Sequence, residues 1–151
     1  MIEPEQDVGD AQLSAAKARW DNLSLHRHLG ITLEALAAGY ARFRLTTSDR
    51  NMGGVHGSVH GGILAFLIDV ATLAAVSTLV GPGERMAGTA ELNVSYLRPA
   101  LGPSVFAEAR VLRKGQVLAV VDVDISNHDG KLLAKGRVGY AVRPAERADN
   151  R

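Results

Sequence analysis

No cysteine occurs in the sequence, which excludes disulfides, thiolate metal sites and cysteine nucleophiles. An excess of one charge sign is also missing. Seventeen basic against sixteen acidic side chains leave a net charge of +1, which gives no reason to expect nucleic acid or an anionic membrane as the main partner. The acidic opening stretch MIEPEQDVGDAQ lacks an apolar run and does not read as a secretory signal. With no cysteine to oxidise, a cytoplasmic location fits. Internal repeats and low-complexity tracts are absent too. What is present is an ordinary globular composition, 46% apolar and 22% charged over 151 residues. That suffices for one domain burying about two-thirds of its unfolded surface.

One stretch resembles a membrane span. Ile63 to Val80, ILAFLIDVATLAAVSTLV, is barely long enough to cross a bilayer. Asp69 near its middle would cost roughly 2.5–3.5 kcal/mol on insertion scales, and the nearest cations, Arg50 and Arg85, lie well outside it. The expectation is a helix wrapped by protein, with no membrane partner.

The rest of the chain punctuates this helix. Residues 1–12 read as a frayed tail, 13–143 as a single domain and 144–151 as a charged tail. Ser14 to Leu23 suits a short helix, supported by Ala15, Ala16 and Ala18, and Gly30 ends that region. Ile31, Leu33 and Ala35 alternate with Thr32 and Glu34, as in a strand. A turn at Ala38-Gly39 leads to Tyr40–Thr46, with Ala41, Phe43 and Leu45 opposite Arg42 and Arg44. A glycine-rich loop, NMGGVHGSVHGG, precedes the apolar helix, which Gly81-Pro82-Gly83 stops.

Four strands follow. In Met86–Leu97, alternation sets Met86, Ala90, Leu92, Val94 and Tyr96 against Thr89, Glu91, Asn93 and Ser95. Val105–Leu112 and Val117–Ile125 join through a hairpin at Lys114-Gly115, and Leu132–Val142 returns across Asn127-His128-Asp129-Gly130. The class is α+β: an antiparallel sheet curved around one apolar helix.

From Asn51 through Gly83 the only residue charged at neutral pH is Asp69. A carboxylate in such surroundings needs compensation. It is either a structural hydrogen bond or ion pair, or a general base or nucleophile in a dry pocket. His60, nine residues earlier, would face the opposite side of one helix, since nine steps of about 100° end near 180°. It therefore precedes the helix, which Gly61-Gly62 opens. The unpaired N–H groups there form a cradle for a carbonyl oxygen gaining negative charge; the plainer alternative is a capping loop. Gly61 and Asp69 lie about 12 Å apart along a helix axis. If both act on one bond, they come from two subunits of a symmetric dimer.

Other chemistries fit less well. His56 and His60 have a His-x3-His spacing but lie in a loop, so no metal site is expected. Ser58 has no G-x-S-x-G elbow around it, and no G-K-[ST] completes a phosphate loop. Phe66, Leu73 and Tyr96 are candidates for either pocket lining or core.

The segment GVHGSVHGGILAFLIDVATLAAV followed by AGTAELNVSYLRPA resembles the hotdog-fold thioesterases of the phenylacetate-degradation (PaaI-like) type, over roughly Ile31 to Val142. The HGG-x6-D spacing and the following N-[IV]-[ST]-Y strand carry the likeness. The resemblance implies five or six antiparallel strands around the central helix, homodimers paired into homotetramers, and active sites at the dimer interface. It implies hydrolysis of a small or medium acyl-coenzyme A, aromatic or aliphatic, with no cofactor, because coenzyme A is part of the substrate. Asp69 then matches the catalytic carboxylate, Gly61 the backbone N–H that polarises the carbonyl, and His60 the histidine beside it. Thr89 matches a Ser or Thr that places the water. Relatives commonly carry Asn six residues before the HGG histidine, where this chain has Gly54. Asn51 or His56 is left to take up its polar contacts, with Gly62 beside them. Arg98, Arg113 and Lys114 fall where relatives contact the coenzyme phosphates, and read plainly are solvated charges. Two rivals remain: a hotdog dehydratase or hydratase pairing a histidine with Asp69, and a non-catalytic acyl-CoA binder, which the Gly54 departure favours.

Overall fold

A computed structural model describes residues 8–146. Two short helices, α1 (Asp10–Asp21) and α2 (Ser24–Leu29), lead into the hairpin β1 (Ile31–Ala37) and β2 (Tyr40–Thr46). The glycine-rich loop carries one 3-10 turn, Val55–Gly57, before α3 (Gly61–Ser77). Strands β3 (Glu84–Tyr96), β4 (Ser104–Lys114), β5 (Leu118–Asn127) and β6 (Leu132–Pro144) complete the chain. The six strands form one antiparallel sheet in the order β1-β2-β4-β5-β6-β3, and α3 packs against every one of them. This is the hotdog arrangement, with six strands.

Alternation builds the core. Val105, Ala107 and Ala109 of β4, Val121, Val123 and Ile125 of β5, and Val138 and Val142 of β6 face α3 and are buried. Leu33, Phe43 and Leu45 continue this face into the hairpin. Close helix–sheet approach relies on small residues. A Cβ on Gly136 of β6 would stand 2.8 Å from Ile68 Cγ2, so only glycine lets α3 lie where it does. The outward residues pair by charge: Arg42 joins Glu34 and Glu108, and Lys135 joins Asp122 and Asp124. Each such partly exposed pair is worth at most about 1 kcal/mol, so the inner face governs stability.

Strand β3 departs from the pattern. Met86 pairs with Val142, Thr89 with Tyr140 and Leu92 with Val138, so six steps along β3 oppose four along β6. Two β-bulges, between Met86 and Gly88 and between Thr89 and Glu91, absorb the excess. Each bulge reverses the in–out order. Thr89 therefore joins Met86 and Leu92 on the helix-facing side. Simple alternation sets it opposite them, and that expectation is corrected here.

The N-terminal helix also differs from expectation. It spans Asp10–Asp21 instead of Ser14–Leu23: Gly9 precedes its first turn, and the Asp21 carboxylate leaves the helix to accept the Leu33 N–H at 2.7 Å. Of the tail expected over 1–12, Asp10, Ala11 and Gln12 belong to α1, and residues 1–7 lie outside the described part, as do 147–151 of the charged tail. The six-residue α2 is too short to show a helical period in the sequence. It closes on Gly30, whose φ of 77° is the left-handed conformation glycine tolerates. Its His26 is buried against Trp20, Phe43 and Phe66, and burial lowers the imidazole pKa. The ring is thus neutral, with Nδ1–H donating to the Trp20 carbonyl at 2.9 Å.

Helix α3 ends at Ser77, ahead of the glycine-rich stop. The Ser77 and Thr78 hydroxyls donate back to the Ala74 and Ala75 carbonyls, and Thr78 Oγ1 accepts the Gly39 N–H of the β1–β2 turn at 2.8 Å. Among the described residues no helix is long and apolar enough to cross a membrane.

Candidate active site

The start of α3 can be accounted for amide by amide. A helix leaves its first N–H groups without internal partners. Here His60 caps them: its Nδ1 accepts the Gly62 N–H at 2.9 Å, and its carbonyl accepts those of Ile63 (2.9 Å) and Leu64 (3.2 Å). A ring whose Nδ1 accepts carries its proton on Nε2 when neutral. The Gly61 N–H alone has no acceptor among the described residues. Gly62, expected to share the donor role, has its N–H committed to His60.

A cavity of about 480 Å³ opens at this helix start. Gly54, Ser58, His60, Gly61, Tyr96 and Arg98 are among its lining residues. Tyr96 at the end of β3 donates its hydroxyl to the Gly61 carbonyl at 2.7 Å, pinning that residue from across the cavity. Val59 N–H donates to the Ala100 carbonyl and His60 N–H to the Asn51 carbonyl, so the loop is held on both sides. Of the three side chains weighed as pocket lining or core, Tyr96 lines this cavity and is 54% exposed.

Asn51 does not face this cavity. It is 1% exposed, its amide nitrogen donates to the Leu29 and Thr46 carbonyls, and its amide oxygen accepts the Ser48 N–H. With its bonding capacity spent on three chain segments, Asn51 staples the loop and has no group left for a substrate. Nor does position 54 have room for a side chain. A Cβ on Gly54 would meet Ser58 Oγ at 2.4 Å and the Val59 carbonyl oxygen at 2.7 Å. The loop folds in upon the glycine, and the buried Ser58 occupies that space. His56 is exposed at the loop tip with a left-handed φ of 56° and stands outside the cavity lining.

Asp69 lies two turns further along α3, half-buried, on the stripe that also carries the partly buried Phe66 and Leu73. Thr89, turned inward by the bulges, donates its hydroxyl to Asp69 Oδ1 at 2.5 Å. Asp69 takes no ion pair among the described residues, which removes the reading of a structural salt bridge. The helix-start cavity reaches Leu64 and not Asp69. Within one chain, then, the free amide and the carboxylate open onto different places.

The expected coenzyme-binding cations are also divided. Arg98 borders the cavity and donates to the Leu132 carbonyl at 2.9 Å. Lys114 is held by Glu84 at 2.6 Å, beside the first residue of β3, with Arg113 exposed next to it. The cavity adjoins the last residue of that strand, about 40 Å of extended chain away. Among the described residues no group of three or more His, Cys, Asp or Glu gathers to hold a metal ion.

Comparison with known proteins converges on one family. The profile of the thioesterase superfamily matches residues 56–134, which takes in the end of the cavity loop, α3 and Thr89. Acyl-coenzyme A thioesterase 13 of Homo sapiens is 33% identical over 142 residues, covering 91% of this chain and 95% of that protein. The solved PaaI protein of the Escherichia coli phenylacetic acid degradation operon superimposes with a TM-score of 0.73 at 26% identity, covering 90% of this chain and 93% of that one. A thioesterase of Haemophilus influenzae superimposes with a TM-score of 0.81 over 99% of this chain and 100% of that one; at 22% identity it speaks to the fold alone.

Proposed function

The chain belongs to the thioesterase superfamily and is a thioester hydrolase, and from that premise we propose that it cleaves a small or medium acyl-coenzyme A to the free acid and coenzyme A, at sites shared by two subunits. The observation that carries the reading is the Gly61 amide, unpaired among the described residues, set two helical turns from a carboxylate that has a hydroxyl donor and no ion pair among them.

The thioester carbonyl oxygen rests on the Gly61 N–H, where a hydrogen bond strengthens as negative charge develops. The carboxylate comes from the partner subunit's Asp69, because about 12 Å separates the two groups along one helix. The unpaired edge of β3, next to Thr89 and Tyr96, is a natural place for a second copy to join. Asp69 takes a proton from water as the new C–O bond forms. The C–S bond then breaks and the coenzyme thiolate is protonated. Direct attack by Asp69, giving a mixed anhydride that water opens, uses the same geometry. Label found in the protein carboxylate after a single turnover in heavy-oxygen water marks the anhydride route, with water opening the anhydride at the Asp69 carboxyl carbon. Arg98 at the cavity rim meets the phosphates.

The test has two parts. Thiol release is measured on a panel of aromatic and aliphatic acyl-coenzyme A esters, alongside hydration of enoyl esters. Release from the saturated esters is expected. Binding without release favours an acyl-CoA binder, and turnover of enoyl esters alone favours a hydratase. Then Gly61→Pro is mixed with Asp69→Asn. Proline suits the first position of a helix, where it deletes the N–H and sets its ring carbon in the place of the proposed oxygen contact. Half of the dimers become hybrids with one intact site each, so about a quarter of the activity returns if sites span subunits. No recovery places the site within one chain.

A further inference from the structure

Strand β3 holds α3 at two points. Partway along, Thr89 bonds Asp69, and at its end the Tyr96 hydroxyl donates to the Gly61 carbonyl at 2.7 Å. The second bond falls where the backbone has most freedom. Gly61 and Gly62 carry no side chain to anchor them, glycine loses more conformational freedom on ordering than any other residue, and a helix start lacks internal partners for its amides. His60 ties Gly62 from within the same turn. Among the described residues, Tyr96 is the only side chain outside that turn to bond either glycine. Its ring also reaches over the pair: a Cβ built on Gly61 would stand 3.4 Å from Cε1 and Cζ. Tyr96 is more than half exposed, so its placement gains little from burying hydrocarbon; what it gains is the bond of its hydroxyl.

We infer that Tyr96 is a positioning residue for the Gly61 amide, its hydroxyl holding that glycine in the orientation in which the N–H can meet a thioester oxygen. This rests on the reading of the amide as the donor that polarises the carbonyl. Such a donor works only when it lies about 2.7–3.1 Å from the position the oxyanion takes, and a misplacement of about 1 Å can cost 10²-fold. The peptide that carries the Gly61 N–H is fixed from its carbonyl end, because the His60 oxygen accepts the Ile63 and Leu64 amides. Tyr96 fixes the next peptide, through the Gly61 carbonyl. That oxygen has two lone pairs, so it accepts the phenol and keeps its place in the helical ladder. With the peptides before and after Gly61 both held, its N–H keeps one direction. In this role the hydroxyl acts through the glycine.

Tyr96→Phe keeps the ring and deletes the bond. It should lower kcat by about tenfold, short of the loss for the amide itself, with KM within about twofold. In the free enzyme, solvent exchange of the Gly62 amide, followed by nuclear magnetic resonance, should quicken by about tenfold while core amides such as that of Val123 keep their rates. An unchanged kcat or an unchanged Gly62 rate overturns the proposal. A mixed dimer shows whether the effect runs through Gly61. When Asp69→Asn is paired with Gly61→Pro, the working site takes Gly61 from the first chain and Asp69 from the second. Tyr96→Phe added to the first chain should lower the recovered activity by about tenfold; added to the second, beside the proline of the dead site, it should cost less than about twofold. Equal losses in the two hybrids sink the proposal. No recovery in the starting pair removes the shared-site reading alone, and the Gly62 exchange rate then decides for or against Tyr96.

Discussion

The start of α3 and its middle are built on opposite principles. At the start, the proposed role falls to a backbone group, and the surrounding side chains immobilise the backbone: His60 caps, Asn51 staples and Tyr96 pins. In the middle, the proposed role falls to a side chain, and a distorted backbone supplies its hydrogen-bond partner, since the bulges of β3 bring Thr89 to Asp69. The first device tolerates almost no change in loop geometry, as the crowding at Gly54 shows. The second depends on which way an edge strand faces.

Substitutions can separate the two halves. Asp69→Asn should lower kcat by at least about a hundredfold, the range for a lost general base, with the fold intact by circular dichroism. Gly61→Pro should cost a comparable 10²–10³-fold, roughly the loss for one oxyanion donor. Near-normal turnover in either variant removes that half from the mechanism. Asn51→Ala attacks the start through its staple. Three hydrogen bonds go and buried carbonyls are orphaned, so urea denaturation should show a loss of about 2–4 kcal/mol. KM should rise more than kcat falls, because the cavity loop loosens while Asp69 keeps its partner.

Smaller effects sharpen the contrast in the middle. Gly136→Ala forces a methyl against Ile68, next to Asp69 in α3, and should destabilise by about 1–3 kcal/mol. Helix displacement should show there as a lower kcat with little change in KM. Thr72, one turn after Asp69, has a fully buried hydroxyl with no partner among the described residues. Thr72→Val removes an unsatisfied group at equal volume, and the melting temperature should hold or rise slightly. A clear fall would mean that the hydroxyl has a partner in the assembled protein.

These contrasts match what the sequence discloses. The core strands were legible: Arg42 and Arg44 lie opposite Ala41, Phe43 and Leu45, and alternation keeps Val105 to Val111, Val121 to Ile125 and Ala134 to Val142 in step. Pattern reading succeeds where every residue obeys one period. His60 as the residue before the helix, and Gly61 as its opening, followed from the same arithmetic. The pattern fails at Thr89, because the one mark of the bulges is Gly88, with its φ of 115°, and strict alternation passes over it. It fails again at Asn51, whose side chain, besides bonding Thr46 and Ser48 close by, donates to the Leu29 carbonyl twenty-two residues away.

The doubled kink in β3 also bears on how this protein could be hardened. Ala87 and Ala90 are the surplus residues. Trimming both would leave a straight edge with Met86, Thr89 and Leu92 still pointing inward and a continuous ladder to β6. Such a shortened chain would gain rigidity but lose the local coiling that aims one hydroxyl at its acid. The irregularity is therefore a place where durability has been exchanged for aim, and an engineer seeking a sturdier enzyme should leave it alone.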